Sequence, residues 1–351
     1  MSVRSSQLPA LRGAMLALVA AVLFGISTPL VQHFGAGVGS FATAALLYAG
    51  AAAIGAWMRR PASMEARVRR SDLRRLVAMA AFGAVVGPIA LAWGLQRTSG
   101  TSASLMLTLE AVFTAVLARL WYRETMDRRV VAAMTLLTLG GLALVLDRAD
   151  AGAAPVLGLL SVALATAAWG VDNTLSRAVA ERDPGQVILW KGGLGAIAAG
   201  LLAVAFDERV PQPGAALALL AIGASGYGLS LRFYLLAQRA FGAARTGSVF
   251  AFAPFVGAAF AFALGERSGG AWMAAGAVLM VAGIVLHLAE RHSHEHEHPA
   301  MDHEHAHVHD DGHHGHVHDG VPAGPHSHRH HHAWMRHTHP HVPDEHHGHR
   351  H

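Results

Sequence analysis

The stretch LQRTSGTSASLMLTLEAVFTAVLARLWYRETMDRRVVAAMTLLTLGGLALVL, residues 95–146, contains two apolar runs separated by a short charged segment. Each run has about the 20 residues that a helix needs to cross the hydrocarbon core of a bilayer. The connecting segment, YRETMDRR, carries charges that the hydrocarbon core excludes. The stretch therefore predicts two consecutive membrane-spanning helices joined by a tight polar loop.

The rest of the chain continues this pattern of apolar runs and polar breaks. Of its 351 residues, 53% are hydrophobic and only 14% are charged, whereas about a quarter of the residues in an average soluble protein are charged. The runs long enough to span a bilayer number ten: 12–32, 38–58, 74–96, 100–121, 129–147, 155–178, 186–206, 214–237, 243–264 and 270–290. The composition predicts an all-α membrane protein with ten transmembrane helices in contact with the lipid bilayer.

The two halves of the chain share short motifs. Residues 96–100, QRTSG, recur as residues 238–242, QRAFG, and Glu124 recurs as Glu266 at the same shift of 142 residues. Because each half has an odd number of spans, the second half must be inserted upside down. The sequence predicts two inverted five-helix repeats, a plan common among secondary transporters. The predicted segments are an N-terminal cytoplasmic segment 1–11, repeats 12–147 and 155–290, and a C-terminal tail 291–351.

Arginines concentrate in the loops on one side of the predicted bundle, at 59–73, 122–128, 179–185 and 238–242. By the positive-inside rule, this bias predicts a cytoplasmic N-terminus, and an even number of spans puts the C-terminus in the cytoplasm as well. We expect a multi-pass protein of a bacterial inner membrane. The excess of basic over acidic residues comes from arginines in these loops and indicates how the chain is oriented in the membrane. No nucleic-acid partner is therefore expected.

The opening stretch resembles the fourth and fifth helices of EamA-type carriers in the drug/metabolite transporter superfamily. The matching residues are Leu109-Glu110 and Glu124, although Ala111 stands where those carriers usually have proline. In the second half, Ala253-Pro254 and Gly265-Glu266 occupy the corresponding places. The resemblance covers residues 12–290 and implies ten helices and transport by alternating access, without indicating the solute. We expect a cavity lined by helices 1, 3, 4, 6, 8 and 9.

Three ionisable residues are predicted at membrane depth, where they must face the protein interior or a cavity. Glu110 lies near the middle of its run and is either a proton-coupling or cation-binding carboxylate or a helix-packing group. Asp172 and Lys191 lie at similar depth on consecutive helices and can therefore pair. That pair is either a structural lock between two helices or a contact for the solute.

Two further polar residues complete the predicted substrate or coupling pathway. Asn173 follows Asp172 and is a weaker candidate. Arg232 lies near the cytoplasmic end of its helix, where a long side chain can reach the interface, or can meet a solute carboxylate. The predicted pathway is therefore Glu110, Asp172, Asn173, Lys191 and Arg232.

The tail contains 24 of the 26 histidines, interleaved with Asp, Glu, Gly and Pro. Nothing in it is apolar enough to form a core, so the free tail is predicted to be disordered. Imidazole suits Zn²⁺, Ni²⁺, Co²⁺ and Cu²⁺, and alternating histidines on a flexible chain allow several rings to reach one ion. The tail is either a metal-binding element or a polar terminus without such a role. The predicted metal ligands are His292, His294, His296, His298, His303, His305, His307, His309, His313, His314, His316 and His318.

These features predict a secondary-active exporter with the bilayer, a small molecule or ion, and transition-metal ions as partners. One version moves divalent transition-metal ions outward, with the tail collecting them. The alternative exports an amino acid or metabolite, and the tail only senses or buffers metal; a third class is a non-transporting metal store. The chain has no cysteine, phosphate-binding loop or catalytic constellation, so neither an enzyme nor a tightly bound cofactor is expected. The sequence is compatible both with a monomer and with an oligomer of this chain.

Overall fold

A computed structural model describes residues 7–61, 63–122, 128–149, 151–176, 179, 181–241, 243–267 and 269–288. In the tail it describes residues 293–298, 301–307, 326–332 and 335–340.

Ten apolar helical segments, here called spans 1 to 10, correspond to the ten predicted runs. Within the described residues, nine are long and apolar enough to cross a membrane, and span 10 has a shorter apolar stretch. The all-helical membrane fold is therefore confirmed. The spans are Gln7–Phe34, Ser40–Trp57, Arg70–Leu95, Gly100–Trp121, Arg128–Ala149, Ala153–Ser176, Pro184–Ala205, Pro213–Ala240, Thr246–Ala263 and Ala271–Leu288.

Spans 3 and 8, which are equivalent in the two repeats, each contain a seven-residue π-helical segment in the middle. These π segments are Ala80–Val86 and Gly223–Leu229, and they begin 143 residues apart. A π turn interrupts the regular hydrogen-bond ladder and is frequent at functional sites. The repeat is thus visible in the backbone as well as in the sequence.

Spans 4 and 9 are broken at equivalent places. Span 4 consists of helices Gly100–Met106 and Leu109–Tyr122, and span 9 consists of Ala243–Phe250 and Ala253–Ala263. Pro254 lies in the first turn of the second piece of span 9, where its missing N–H costs no helical hydrogen bond. Discontinuous helices of this kind build solute sites in transporters.

Acidic side chains join the two repeats at one end of the bundle, called the Glu266 end. Glu266 accepts hydrogen bonds from the N–H groups of Gly100 and Thr101, at 3.0 and 2.9 Å, at the start of span 4. Glu208 does the same for the start of span 2, and Asp147 for the start of span 10. Each carboxylate caps a helix of the opposite repeat, where the helix dipole favours negative charge.

At the other end, called the Glu65 end, ion pairs connect the loop after span 2 with the second repeat. Arg239 contacts Glu65 at 2.8 Å, and Arg182 contacts Asp72 at 2.9 Å. Burial raises the pKa of the Glu65 carboxyl, and the Arg239 guanidinium opposes that rise. Both ends of the bundle are therefore tied across the repeats.

The described parts of the tail are four short strands: β1 (Ser293–His298), β2 (Met301–His307), β3 (His326–His332) and β4 (Met335–Pro340). Strand β1 pairs with β4 and β2 with β3, both antiparallel. The alternating histidines have the period of an extended strand. A lone two-stranded pair is only marginally stable in water, which is compatible with the predicted disorder of the free tail.

Candidate transport site

Asp172 of span 6 and Lys191 of span 7 form an ion pair inside the bundle. The side chain of Lys191 is 6% exposed and that of Asp172 7%, and the ammonium donates to Oδ2 of the carboxylate. The other carboxylate oxygen, Oδ1, is buried without a hydrogen-bond partner among the described residues. The predicted pairing is present, while its part in transport stays a prediction.

Glu110 lies beside this pair and is held by Asn173. The Asn173 amide donates to Oε1 of Glu110 over 2.5 Å. Since Asp172 and Asn173 are adjacent, span 6 contacts span 7 through one residue and span 4 through the next. Glu110 also lies in the first turn of Leu109–Tyr122, where the helix dipole favours a carboxylate. Four of the five predicted pathway residues therefore form one cluster, called the charged cluster: Glu110, Asp172, Asn173 and Lys191.

An aromatic cluster, consisting of Phe24, Tyr48, Trp169, Tyr227 and Phe250, adjoins the charged cluster. The Phe24 ring lies 5.7 Å from Trp169, 5.9 Å from Tyr227 and 5.5 Å from Phe250. Tyr48 lies 5.5 Å from Tyr227. Spans 1, 2, 6, 8 and 9 each supply one ring, so apolar and polar surfaces meet at the point where both repeats converge.

The backbone carbonyl of Gly83, in the first π segment, joins the two clusters. It accepts hydrogen bonds from the Tyr48 hydroxyl and from Trp169 Nε1, the latter at 3.0 Å. A Cβ at Gly83 would lie 2.4 Å from the carboxylate carbon of Asp172. The absence of a side chain at Gly83 therefore lets the Asp172 carboxylate lie against the π segment.

The sequence did not identify the aromatic cluster as a site. Tyr48 lies in an ordinary apolar run, yet it is only 5% exposed and its hydroxyl donates to the Gly83 carbonyl at the centre. A usable signal existed, since Phe24 and Trp169 occupy matching positions in the two repeats. Spans 2 and 7 also supply central residues, in addition to the spans predicted to line the cavity.

Arg232 lies apart from the charged cluster. It is 8% exposed, and its guanidinium donates to the Met58 carbonyl, at 3.3 Å, near the Glu65 end. The structure thus places Arg232 at an end of the bundle, and its contact with a solute stays a prediction.

Only part of the predicted metal-binding tail can be located. His294, His296, His298, His303, His305 and His307 lie on strands β1 and β2. Outside the described residues lie His292, His309, His313, His314, His316 and His318, together with Glu124.

Comparisons with known proteins agree with this architecture. The EamA-like transporter family matches residues 11–146 and 156–289, one match in each repeat. An uncharacterized transporter of Methanothermobacter thermautotrophicus is 26% identical over 238 residues, covering 65% of this chain and 68% of that protein. A crystal structure with 18% identity has a TM-score of 0.56 and covers 78% of this chain and 94% of that one, which shows similarity of fold alone. With two family matches that together cover most of its length, the chain belongs to the EamA-like transporter family, whose members are membrane carriers and not enzymes.

Proposed function

We propose that this protein is a secondary-active exporter that works by alternating access and carries a small organic solute with ionised groups, such as an amino acid. The observation that carries this proposal is the contact between the charged cluster and the aromatic cluster. Lys191 offers an ammonium for a solute carboxylate, and Asp172 has an oxygen available for a solute ammonium. The aromatic rings offer an apolar wall for the rest of the solute.

The chemistry of the centre supports an organic solute better than a bare metal ion. Among the described residues, no group of three or more His, Asp or Glu side chains could hold a metal. The two central carboxylates already accept hydrogen bonds from Lys191 and Asn173. Transition metals prefer imidazole and thiolate ligands, and the chain has no cysteine.

Export of divalent transition-metal ions is the second candidate, and the histidine-rich tail is the observation that favours it. In both versions we propose that tail histidines bind Zn²⁺, Ni²⁺, Co²⁺ or Cu²⁺. In the organic-solute version the tail senses or buffers metal; in the metal version it collects the cargo. We further propose that both termini lie in the cytoplasm of a bacterial cell.

Transport into inside-out vesicles separates the two versions. Uptake of radiolabelled amino acids and of Zn²⁺, Ni²⁺ and Co²⁺ would be compared for the full chain, a 1–290 truncation, Glu110→Gln and Asp172→Asn. The matched control is Asp207→Asn, which makes the same chemical change on an exposed loop.

We expect amino-acid uptake that both central substitutions reduce at least tenfold and that the control and the truncation leave intact. Metal uptake without amino-acid uptake would refute the organic-solute version. Equal uptake by Asp172→Asn and Asp207→Asn would show that the charged cluster is not the site.

A further inference from the structure

The start of span 3 carries exposed arginines without an acidic partner. Arg70, Arg74 and Arg75 are exposed, and none of them forms an ion pair with a carboxylate in the described part of the chain. The nearest acidic residues along the chain, Glu65 and Asp72, pair instead with arginines of the second repeat. Three guanidinium groups therefore remain available to a ligand from outside the bundle.

Two of these arginines share one face of the span with exposed apolar side chains. Arg70, Leu73, Arg74 and Val77 have the spacing of residues along a single helix face. Leu73 is 51% exposed and Val77 is 50% exposed. The opposite face carries Leu76, which is fully buried and packs in the core of the bundle. The face that carries the two arginines, here called the span 3 stripe, therefore points away from the bundle.

The neighbouring end of span 2 places this stripe at the level of the lipid headgroups. Trp57 is the last residue of span 2 and is 78% exposed, and tryptophans of membrane proteins are enriched at the boundary between lipid and water. Span 3 begins on the same side of the bundle, after the loop that follows span 2. Arginine side chains at the start of a span extend toward the aqueous interface, while apolar side chains beside them stay in the lipid.

We propose that the span 3 stripe, together with Arg75, is a binding site for an anionic phospholipid. The guanidinium groups bind the headgroup phosphate, whose oxygens match their forked geometry, and an acyl chain lies along Leu73 and Val77. Basic clusters beside a membrane-spanning helix attract anionic lipids in this way. A free phosphate ion would leave the two apolar side chains without a contact, so the stripe favours a lipid. The site does not depend on which solute the carrier moves.

A lipid bound at the stripe would hold span 3 from its outer side. The inner side of the same turn is tied to the second repeat by the ion pair between Asp72 and Arg182, at 2.9 Å. Farther along, span 3 contains the π segment whose Gly83 carbonyl joins the charged and aromatic clusters. A ligand that binds the folded protein stabilises it by mass action, so bound anionic lipid should raise the thermal unfolding temperature.

Native mass spectrometry of the purified full chain tests the site, with phosphatidylglycerol as the anionic probe and phosphatidylcholine as the lipid without net charge. The variant is Arg70→Gln with Arg74→Gln. We expect its affinity for phosphatidylglycerol to fall about thirtyfold, at about fivefold for each arginine removed. The matched control is Arg59→Gln with Arg60→Gln, which removes two exposed arginines of the same loop that have no exposed apolar helix turn after them. Its affinity should fall less than fivefold.

The tail supplies a competing explanation that the same measurement addresses. The Ser327 N–H of strand β3 donates to the Ser63 carbonyl, at 3.2 Å, in the loop before span 3, and the tail carries acidic residues. The 1–290 truncation should therefore still bind phosphatidylglycerol. Loss of the lipid in the truncation, an equal loss in the two double variants, or equal binding of phosphatidylcholine would overturn the inference. A rise in unfolding temperature with phosphatidylglycerol that Arg70→Gln with Arg74→Gln abolishes would support it.

Discussion

Replacement of Lys191 by methionine should destabilise the protein because it leaves the buried carboxylate of Asp172 without an ion-pair partner. Asp172 is 5% exposed, and Lys191 makes the only hydrogen bond to its carboxylate among the described residues. Removal of one member of a buried ion pair typically costs about 3–5 kcal/mol, since the remaining charge is neither hydrated nor paired. Methionine keeps much of the lysine stem's volume, so packing loss should add little.

The double variant Asp172→Asn with Lys191→Met supplies the internal comparison. It leaves no unpaired charge, and replacement of a buried ion pair by neutral groups of similar volume is often nearly neutral. We therefore expect the double variant to recover most of the stability lost by the single one. Arg209→Met, which removes an exposed cation, should change stability by less than about 0.5 kcal/mol.

Unfolding in mixed micelles by titration with sodium dodecyl sulfate, followed by fluorescence of the seven tryptophans, measures all three variants. A cost below about 1 kcal/mol for Lys191→Met would refute the reasoning, because Asp172 would then have another partner or be neutral. A double variant as unstable as the single one would also refute it, since packing and not charge would explain the loss.

Three further results are expected. Glu266→Gln replaces a carboxylate that caps span 4 and should cost about 1–3 kcal/mol, visible as faster amide exchange at Gly100 and Thr101. Because the folded state raises the pKa of Glu65, its contribution to stability is full below the unfolded pKa and is lost as pH rises through the folded pKa. Glu65→Gln should abolish that loss in unfolding titrations across pH. Zn²⁺ binding, measured by calorimetry, should disappear in the 1–290 truncation and, in the full chain, weaken as pH falls through about 6.5, where imidazole protonates.

The membrane fold was predictable because it depends on the total hydrophobicity of each run of about 20 residues. Runs such as 100–121 and 129–147 are long and apolar enough to cross a bilayer in almost any context, and the structure has apolar spans at Gly100–Trp121 and Arg128–Ala149. The π segments and the break in span 4 were not predicted. Their residues are ordinary helix formers and small residues, and only packing against neighbouring spans interrupts the ladder there.

The charged cluster was predictable in part, because an ionisable residue in an apolar run stands out whatever the fold. Glu110, Asp172 and Lys191 were found that way, and Asn173 through its neighbour. Arg232 was grouped with them by residue type, although it lies near Met58 at an end of the bundle. Aromatic residues give no comparable signal, since Phe24 or Tyr227 in an apolar run is equally suited to lipid and to a binding site.

The sequence by itself determined that the chain spans the membrane as ten helices and ends in a histidine-rich tail, because the cost of exposing charge and backbone to lipid leaves few other solutions. Its role as a carrier followed from the resemblance of residues 12–290 to EamA-type carriers. Only the tertiary structure decided which polar groups meet. Asn173 contacts Glu110, and Tyr48 and Trp169 share the Gly83 carbonyl, through approaches between spans far apart in sequence. Such contacts depend on the rotation of each helix and on glycines that admit a neighbour, and neither is encoded in hydropathy.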